Sequence, residues 1–108
     1  MAQEKNFENK IKAYLKSKGC YCVKYFGCSY STNGTPDILA CVNGYFMAIE
    51  VKAQTGKPSE LQMAKIREIR EAGGFAYVVY PSGWERLKAI IDGILIENFN
   101  REEDMILK

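Results

Sequence analysis

The chain has 108 residues, 15 Lys and Arg against 13 Asp and Glu, a formal charge of +2, and no histidine. That length suits one domain with one core, spanning residues 1–108, and 47% hydrophobic with 26% charged residues excludes a disordered composition. The missing histidine excludes a Ser-His-Asp triad, a Cys-His pair, an imidazole acid–base and a His-ligated zinc site, so catalysis must rest on carboxylates, Lys, Tyr, Cys or a hard metal ion.

Residues 3–18 have the period of an amphipathic helix, with Phe7, Ile11, Tyr14 and Leu15 on one face, and Gly19 is placed to end it. Tyr21 to Phe26 alternates as a strand, with Cys22, Lys24 and Phe26 on one side. Gly27 to Pro36 is a polar loop. Ile38 to Val42 and Tyr45 to Val51 are apolar strands around Asn43-Gly44, the strongest short hairpin signal, because a type I′ turn needs positive φ at both central residues. Lys57-Pro58-Ser59 introduces a second helix, 60–72, ended by Gly73-Gly74. Phe75 to Tyr80 is a fourth strand. Pro81-Ser82-Gly83 breaks it, with Ser82 a candidate cap for a third helix over 84–92 that Gly93 ends. Ile94-Leu95-Ile96 follows, then a polar tail from Glu97. The order is α-β-β-β-α-β-α, and the apolar faces of the hairpin imply a sheet covered by helices on both sides.

The mild net charge hides a gradient: residues 1–30 carry +4 and residues 94–108 carry −2. A basic first third fits either a phosphate-contacting surface or a solvated lysine-rich helix face. Cys20, Cys22, Cys28 and Cys41 would allow two disulfides in a secreted chain, but the N-terminus has no apolar signal segment. Cys20-x-Cys22 is too tight for a zinc knuckle. The expectation is free, mostly buried thiols in a reducing cytoplasm. No apolar run approaches the roughly 18 residues of a membrane span, so no membrane partner is expected.

The Asn43-Gly44 turn also sets a register. With those two residues as the loop, Val42 faces Tyr45, Cys41 faces Phe46, and further out Asp37 falls opposite Glu50. Lys52, two residues on, emerges on the same face. Facing carboxylates repel, and more strongly where the dielectric falls. Lys52 offsets one charge. The rest needs a second cation, a shared proton or exposure to water; a divalent ion would meet the need, and oxygen ligands without His select Mg²⁺ or Mn²⁺.

Gly34-Thr35-Pro36-Asp37 followed by Glu50-Val51-Lys52 resembles the PD-(D/E)xK nuclease superfamily. The glycine before Pro36-Asp37, the Asn43-Gly44 turn and Gly56-Lys57-Pro58-Ser59-Glu60-Leu61-Gln62 look like its virus-type replication-repair nuclease (VRR-NUC) branch, over about residues 7–80. The resemblance implies an α/β, restriction-endonuclease-like fold, an αβββαβ core with a central mixed sheet flanked by helices. It implies a Mg²⁺- or Mn²⁺-dependent DNA endonuclease in the cytoplasm of a bacterial or phage-infected cell. Asp37, Glu50 and the Val51 carbonyl would hold the metal, and Lys52 would orient the attacking water. Glu8 matches a family glutamate that binds metal, or else pairs with Lys12 along its helix. Gln62 matches a site glutamine, or else closes a capping box with Ser59; the two roles are expected to alternate. Lys24, Ser31, Thr32 and Lys12 are the candidate DNA contacts. Tyr25, Phe26 and Tyr30 could stack on unpaired bases, with core packing the competing use of the first two. Small members of this kind resemble Holliday-junction resolvases, which implies branched DNA and a homodimer, with Trp84 and Ile94-Leu95-Ile96 as a possible contact. The alternatives are a flap or restriction-type nuclease, a non-cleaving nucleic-acid-binding module of the same fold, or an interaction domain whose hairpin charges are incidental.

Overall fold

In the computed structural model, which describes residues 2–26, 34–101 and 104–108, the Asn43-Gly44 turn has φ of 51° and 84°, the positive pair that a type I′ turn requires. Pairing across it runs from Val42 with Tyr45 to Ile38 with Ile49, as expected. Cys28, Tyr30, Ser31 and Thr32 lie outside the described residues.

The hairpin is the centre of a five-stranded sheet whose strands follow chain order: β1 (Tyr21–Lys24), β2 (Ile38–Val42), β3 (Tyr45–Val51), β4 (Phe75–Val79) and β5 (Ile106–Leu107). β1, β2 and β3 pair antiparallel, while β4 and β5 run parallel to their neighbours. Among the described residues three α-helices flank the sheet: α1 (Ala2–Ser17), α2 (Glu60–Glu71) and α3 (Trp84–Leu95). α1 and α3 cover one face of the sheet. Phe7, Ile11 and Leu15 from α1 and Leu87, Ile91 and Ile94 from α3 pack with Ile38, Val42, Met47, Ile49 and Tyr77 in one cluster. α2 covers the other face, with Ile66 against Ala48, Ala76, Val78 and Tyr80.

That second face is only half covered. A single helix spans β3 and β4, so Tyr21, Val23, Cys41 and Phe46 stay exposed. Two of the three described cysteines, Cys20 and Cys22, are buried; Cys41 is not, and all three are free thiols.

The C-terminal third departs most from expectation. Gly93 does not end α3, which runs to Leu95. Its missing side chain admits the returning chain instead: a Cβ there would stand 2.9 Å from the Asn98 carbonyl oxygen, and the Asn98 N–H donates to the Gly93 carbonyl at 2.9 Å. Ser82 does not cap α3 either. Gly83 is the cap residue, and Ser82 is occupied by Gln54, whose amide donates to the Ser82 hydroxyl at 2.9 Å and accepts from its backbone N–H at 3.0 Å. Trp84 packs edge-on against Phe7 and Tyr14 and Ile94 is fully buried. Of the apolar contact suggested there, Ile96 is the residue left largely exposed. The polar tail ends in a strand: the Val78 and Tyr80 N–H groups donate to the Met105 and Leu107 carbonyls at 2.8 and 2.9 Å. Gly83 has no room for a Cβ against the Leu107 backbone, so a glycine there is what lets β5 dock. Among the described residues no helix is long and apolar enough to cross a membrane.

Candidate functional site

The β2–β3 ladder ends at Ile38 and Ile49, and the next pair outward is Asp37 and Glu50. Asp37 is fixed by its neighbours. Its Oδ2 accepts from the Val51 backbone N–H at 2.9 Å, and its carbonyl accepts from the Tyr25 N–H at 2.7 Å. Val51 thus reaches the site through its backbone. Glu50 is 3% exposed. Its Oε2 accepts from Gln62 Nε2 at 3.0 Å and lies 3.5 Å from Lys52 Nζ. Its Oε1 is buried without a hydrogen-bond partner, a situation that costs about 1–3 kcal/mol. Burial pushes the Glu50 carboxyl up to about 8, the facing Asp37 carboxylate pushes the same way, and Lys52 pulls back.

Gln62 does at once the two things expected to alternate. Its amide oxygen accepts from the Ser59 N–H at 2.9 Å, and the Ser59 hydroxyl accepts from the Gln62 N–H at 3.1 Å. That is a complete capping box on α2. The other end of the same amide donates to Glu50, so helix cap and carboxylate are joined by one side chain. Gly34 locks the approach to Asp37 onto the same turn. Its φ is +83°, and a Cβ would meet the Leu61 carbonyl group at 2.8 Å.

A third carboxylate comes from the opposite layer. Glu8 on α1 is 4% exposed. Its Oε1 accepts from Lys24 Nζ at 2.8 Å, and Lys24 Nζ continues to Asp37 Oδ1 at 3.3 Å. Its Oε2 has Lys12 Nζ at 3.4 Å and Lys5 Nζ at 4.0 Å. Burial acts to raise the Glu8 pKa, but Lys24 and then Lys12 outweigh it and hold the carboxyl below its ordinary range. Burial likewise acts to lower Lys24, and Glu8 with Asp37 outweighs it, keeping the ammonium above its ordinary value. Lys24 and Lys12 are therefore turned inward as counter-ions of a buried carboxylate, which needs such partners. Lys5, Lys10 and Lys16 are exposed.

Asp37, Glu50, Lys52, Gln62, Glu8 and Lys24 thus converge at the open end of β2 and β3, drawn from both helical layers. Lys24 stands between Glu8 and Asp37, and among the described residues no three His, Cys, Asp or Glu side chains come together as a cation cage. The pair Asp37–Glu50 does fit a cation. It is an all-oxygen donor set, one oxygen is buried and unpartnered, and a hard divalent ion that keeps most of its waters needs only one or two carboxylates.

The family model for the archaeal Holliday junction resolvase, Hjc, matches residues 2–88. The chain belongs to the Hjc family. The solved structure of Hjc from Archaeoglobus fulgidus, described as a Holliday junction resolvase from an archaeal hyperthermophile, superposes with a TM-score of 0.55 and 26% identity. The match covers 70% of this chain and 66% of that one, just under two thirds of its length. No curated protein matches the chain. The α/β restriction-endonuclease-like fold and the PD-(D/E)xK frame stand on these likenesses. The family shown is Hjc, and the VRR-NUC branch expected from the glycine before Pro-Asp, the hairpin and the glutamine-bearing helix is not supported. The Hjc match ends within α3 and leaves β5 outside it.

Proposed function

We propose that this Hjc-family chain is a divalent-metal-dependent endodeoxyribonuclease that cuts branched, four-way DNA. The observation that carries the reading is the Asp37–Glu50 pair, one residue beyond the last rung of the β2–β3 ladder, with Lys52 two residues on and one Glu50 oxygen buried without a partner. Asp37 and Glu50, with the Val51 carbonyl, would hold Mg²⁺ or Mn²⁺. Such an ion supplies a more acidic bound water and neutralises phosphate charge.

The chain's own residues do the rest. Lys52 presents an ammonium to the attacking water and to the charge that develops on the phosphate. Water adds at phosphorus, one P–O bond to a deoxyribose oxygen breaks, and the leaving oxygen takes up a proton. Gln62 holds the Glu50 carboxylate in place. Glu8 acts through Lys24, and Lys24 sits where a phosphate next to Asp37 would meet it. Lys5, Lys10 and Lys16 add phosphate contacts that weaken with salt, and Ser31 and Thr32, a few residues before Asp37 in the sequence, are the further DNA contacts proposed. Two strands must be cut to resolve a junction, so the acting form is a homodimer. A DNA substrate and free thiols fit a cytoplasmic location.

The test compares four-way junction, flap, single-stranded and linear duplex DNA in Mg²⁺ and in Mn²⁺. Junction DNA cut fastest, in symmetric pairs, is the expected result. Preference for a flap or linear duplex would favour the other nuclease classes, and tight binding without cleavage in either metal would leave a binding module. A monomer by light scattering at micromolar concentration, free and on DNA, would remove the dimer.

A further inference from the structure

Phe26 is the most exposed large apolar side chain among the described residues, at 76% of its surface. It sits two residues beyond Lys24, whose Nζ lies 6.0 Å from the ring centroid. The same Nζ reaches Asp37 Oδ1 at 3.3 Å. Ring and carboxylate are thus joined through one ammonium and lie no more than about 9 Å apart, within the reach of one nucleotide. Tyr25, its neighbour, is half-buried with its backbone N–H committed to Asp37. An isolated exposed apolar residue is ordinary on a protein surface. This one stands beside a charged site, with a cation over the ring and most of its surface exposed. That combination matches an unpaired nucleobase: the face stacks, and the ammonium serves the adjoining phosphate. A base inside a continuous duplex has both faces occupied by its neighbours and cannot take the position, whereas a base at a branch point can be splayed out.

We propose that Phe26 is a base-stacking residue that seats an unpaired nucleotide next to the cleavage site and so selects branched over continuous DNA. The inference rests on the nuclease reading above and goes beyond it by naming the element of recognition.

The experiment uses the full chain in EDTA, where DNA is bound and not cut. The probes are a four-way junction carrying 2-aminopurine at the branch point and a linear duplex of the same sequence. The wild type is expected to quench the probe on the junction. Phe26→Ala is expected to lose the quenching and roughly 10-fold in junction affinity, the scale of one base–aromatic stack, with duplex affinity unchanged. Phe26→Trp is expected to keep both. The ring is exposed, so thermal melting of both variants should match the wild type. Junction quenching and affinity unchanged in Phe26→Ala, or an equal loss on both DNAs, would overturn the stacking role while leaving the nuclease reading intact. So would a Phe26→Ala effect confined to self-association of the free chain. Failure of the wild type to bind either DNA at low salt would overturn the nuclease reading, and the stacking role with it.

Discussion

Lys24 is the residue on which the charge balance of the site turns. Its ammonium touches Glu8 at 2.8 Å and Asp37 at 3.3 Å, so a divalent cation arriving at Asp37 meets a positive charge already there. Removing that charge while keeping the stem should tighten cation binding: Lys24→Met is expected to bind Mn²⁺ roughly 10-fold more tightly in a calorimetric titration, about 1.4 kcal/mol. Weaker binding would show that Lys24 supports the cation. Glu50 gives a pH signature. Its carboxyl is raised from 4.5 to about 8 by burial and then by Asp37. Between those values the folded chain keeps a proton that the unfolded chain has released, so stability falls as pH rises through that window and levels off above it. Melting in EDTA should show the decline, Glu50→Gln should flatten it, and Mn²⁺ should oppose it. A wild-type curve that rises from pH 5 to 8 would contradict the burial argument. Asp37 opposite Glu50 was legible in the sequence, because a two-residue turn dictates every pair of the hairpin. The Glu8–Lys24–Asp37 chain was not. Its members come from α1, β1 and the end of β2, and their meeting depends on how α1 lies across the sheet.

At the scale of elements, α2 is tied to the site through its own cap. Ser59→Ala removes the hydroxyl that accepts from the Gln62 N–H and should cost about 1 kcal/mol, read in a denaturant melt. Gln62→Glu separates the two roles of that side chain. Glutamate still closes a capping box but faces Glu50 with a like charge where an N–H now donates. It is expected to melt below the wild type in EDTA above pH 8, where Glu50 is ionised, and to regain most of the loss with Mn²⁺; a loss that Mn²⁺ does not touch would confine Gln62 to capping. The Ser59-x-x-Gln62 spacing made both roles readable. What it could not show is that they coexist, because that depends on α2 pointing its first turn at the end of β3. The helix and strand positions through Tyr80 followed from periodicity, caps and turns. The errors gathered where those signals are weakest: Gly93 resembles a stop but serves a close approach, and Ile106–Leu107 is too short for any period to show.

At the scale of the molecule, a parallel strand added after α3 closes the sheet edge beside β4. Leu107 is fully buried, and Leu107→Ala should cost about 2–5 kcal/mol, seen as an earlier denaturant midpoint; a midpoint unchanged would mean β5 contributes nothing to the fold. The sheet places the site between layers. α1 brings Glu8 from one face, α2 brings Gln62 from the other, and β2 and β3 carry Asp37, Glu50 and Lys52 where their ends open to solvent. A chain without histidine brings carboxylates, lysines and a glutamine together at this end of the sheet. The most direct measurement is cleavage of a labelled four-way junction in Mn²⁺ by the wild type, Asp37→Asn and Lys52→Met, each checked by thermal melting. Cleavage by the wild type, none above background by either variant and intact melting of all three are predicted. Wild-type rates from folded Asp37→Asn or Lys52→Met would contradict the assigned site.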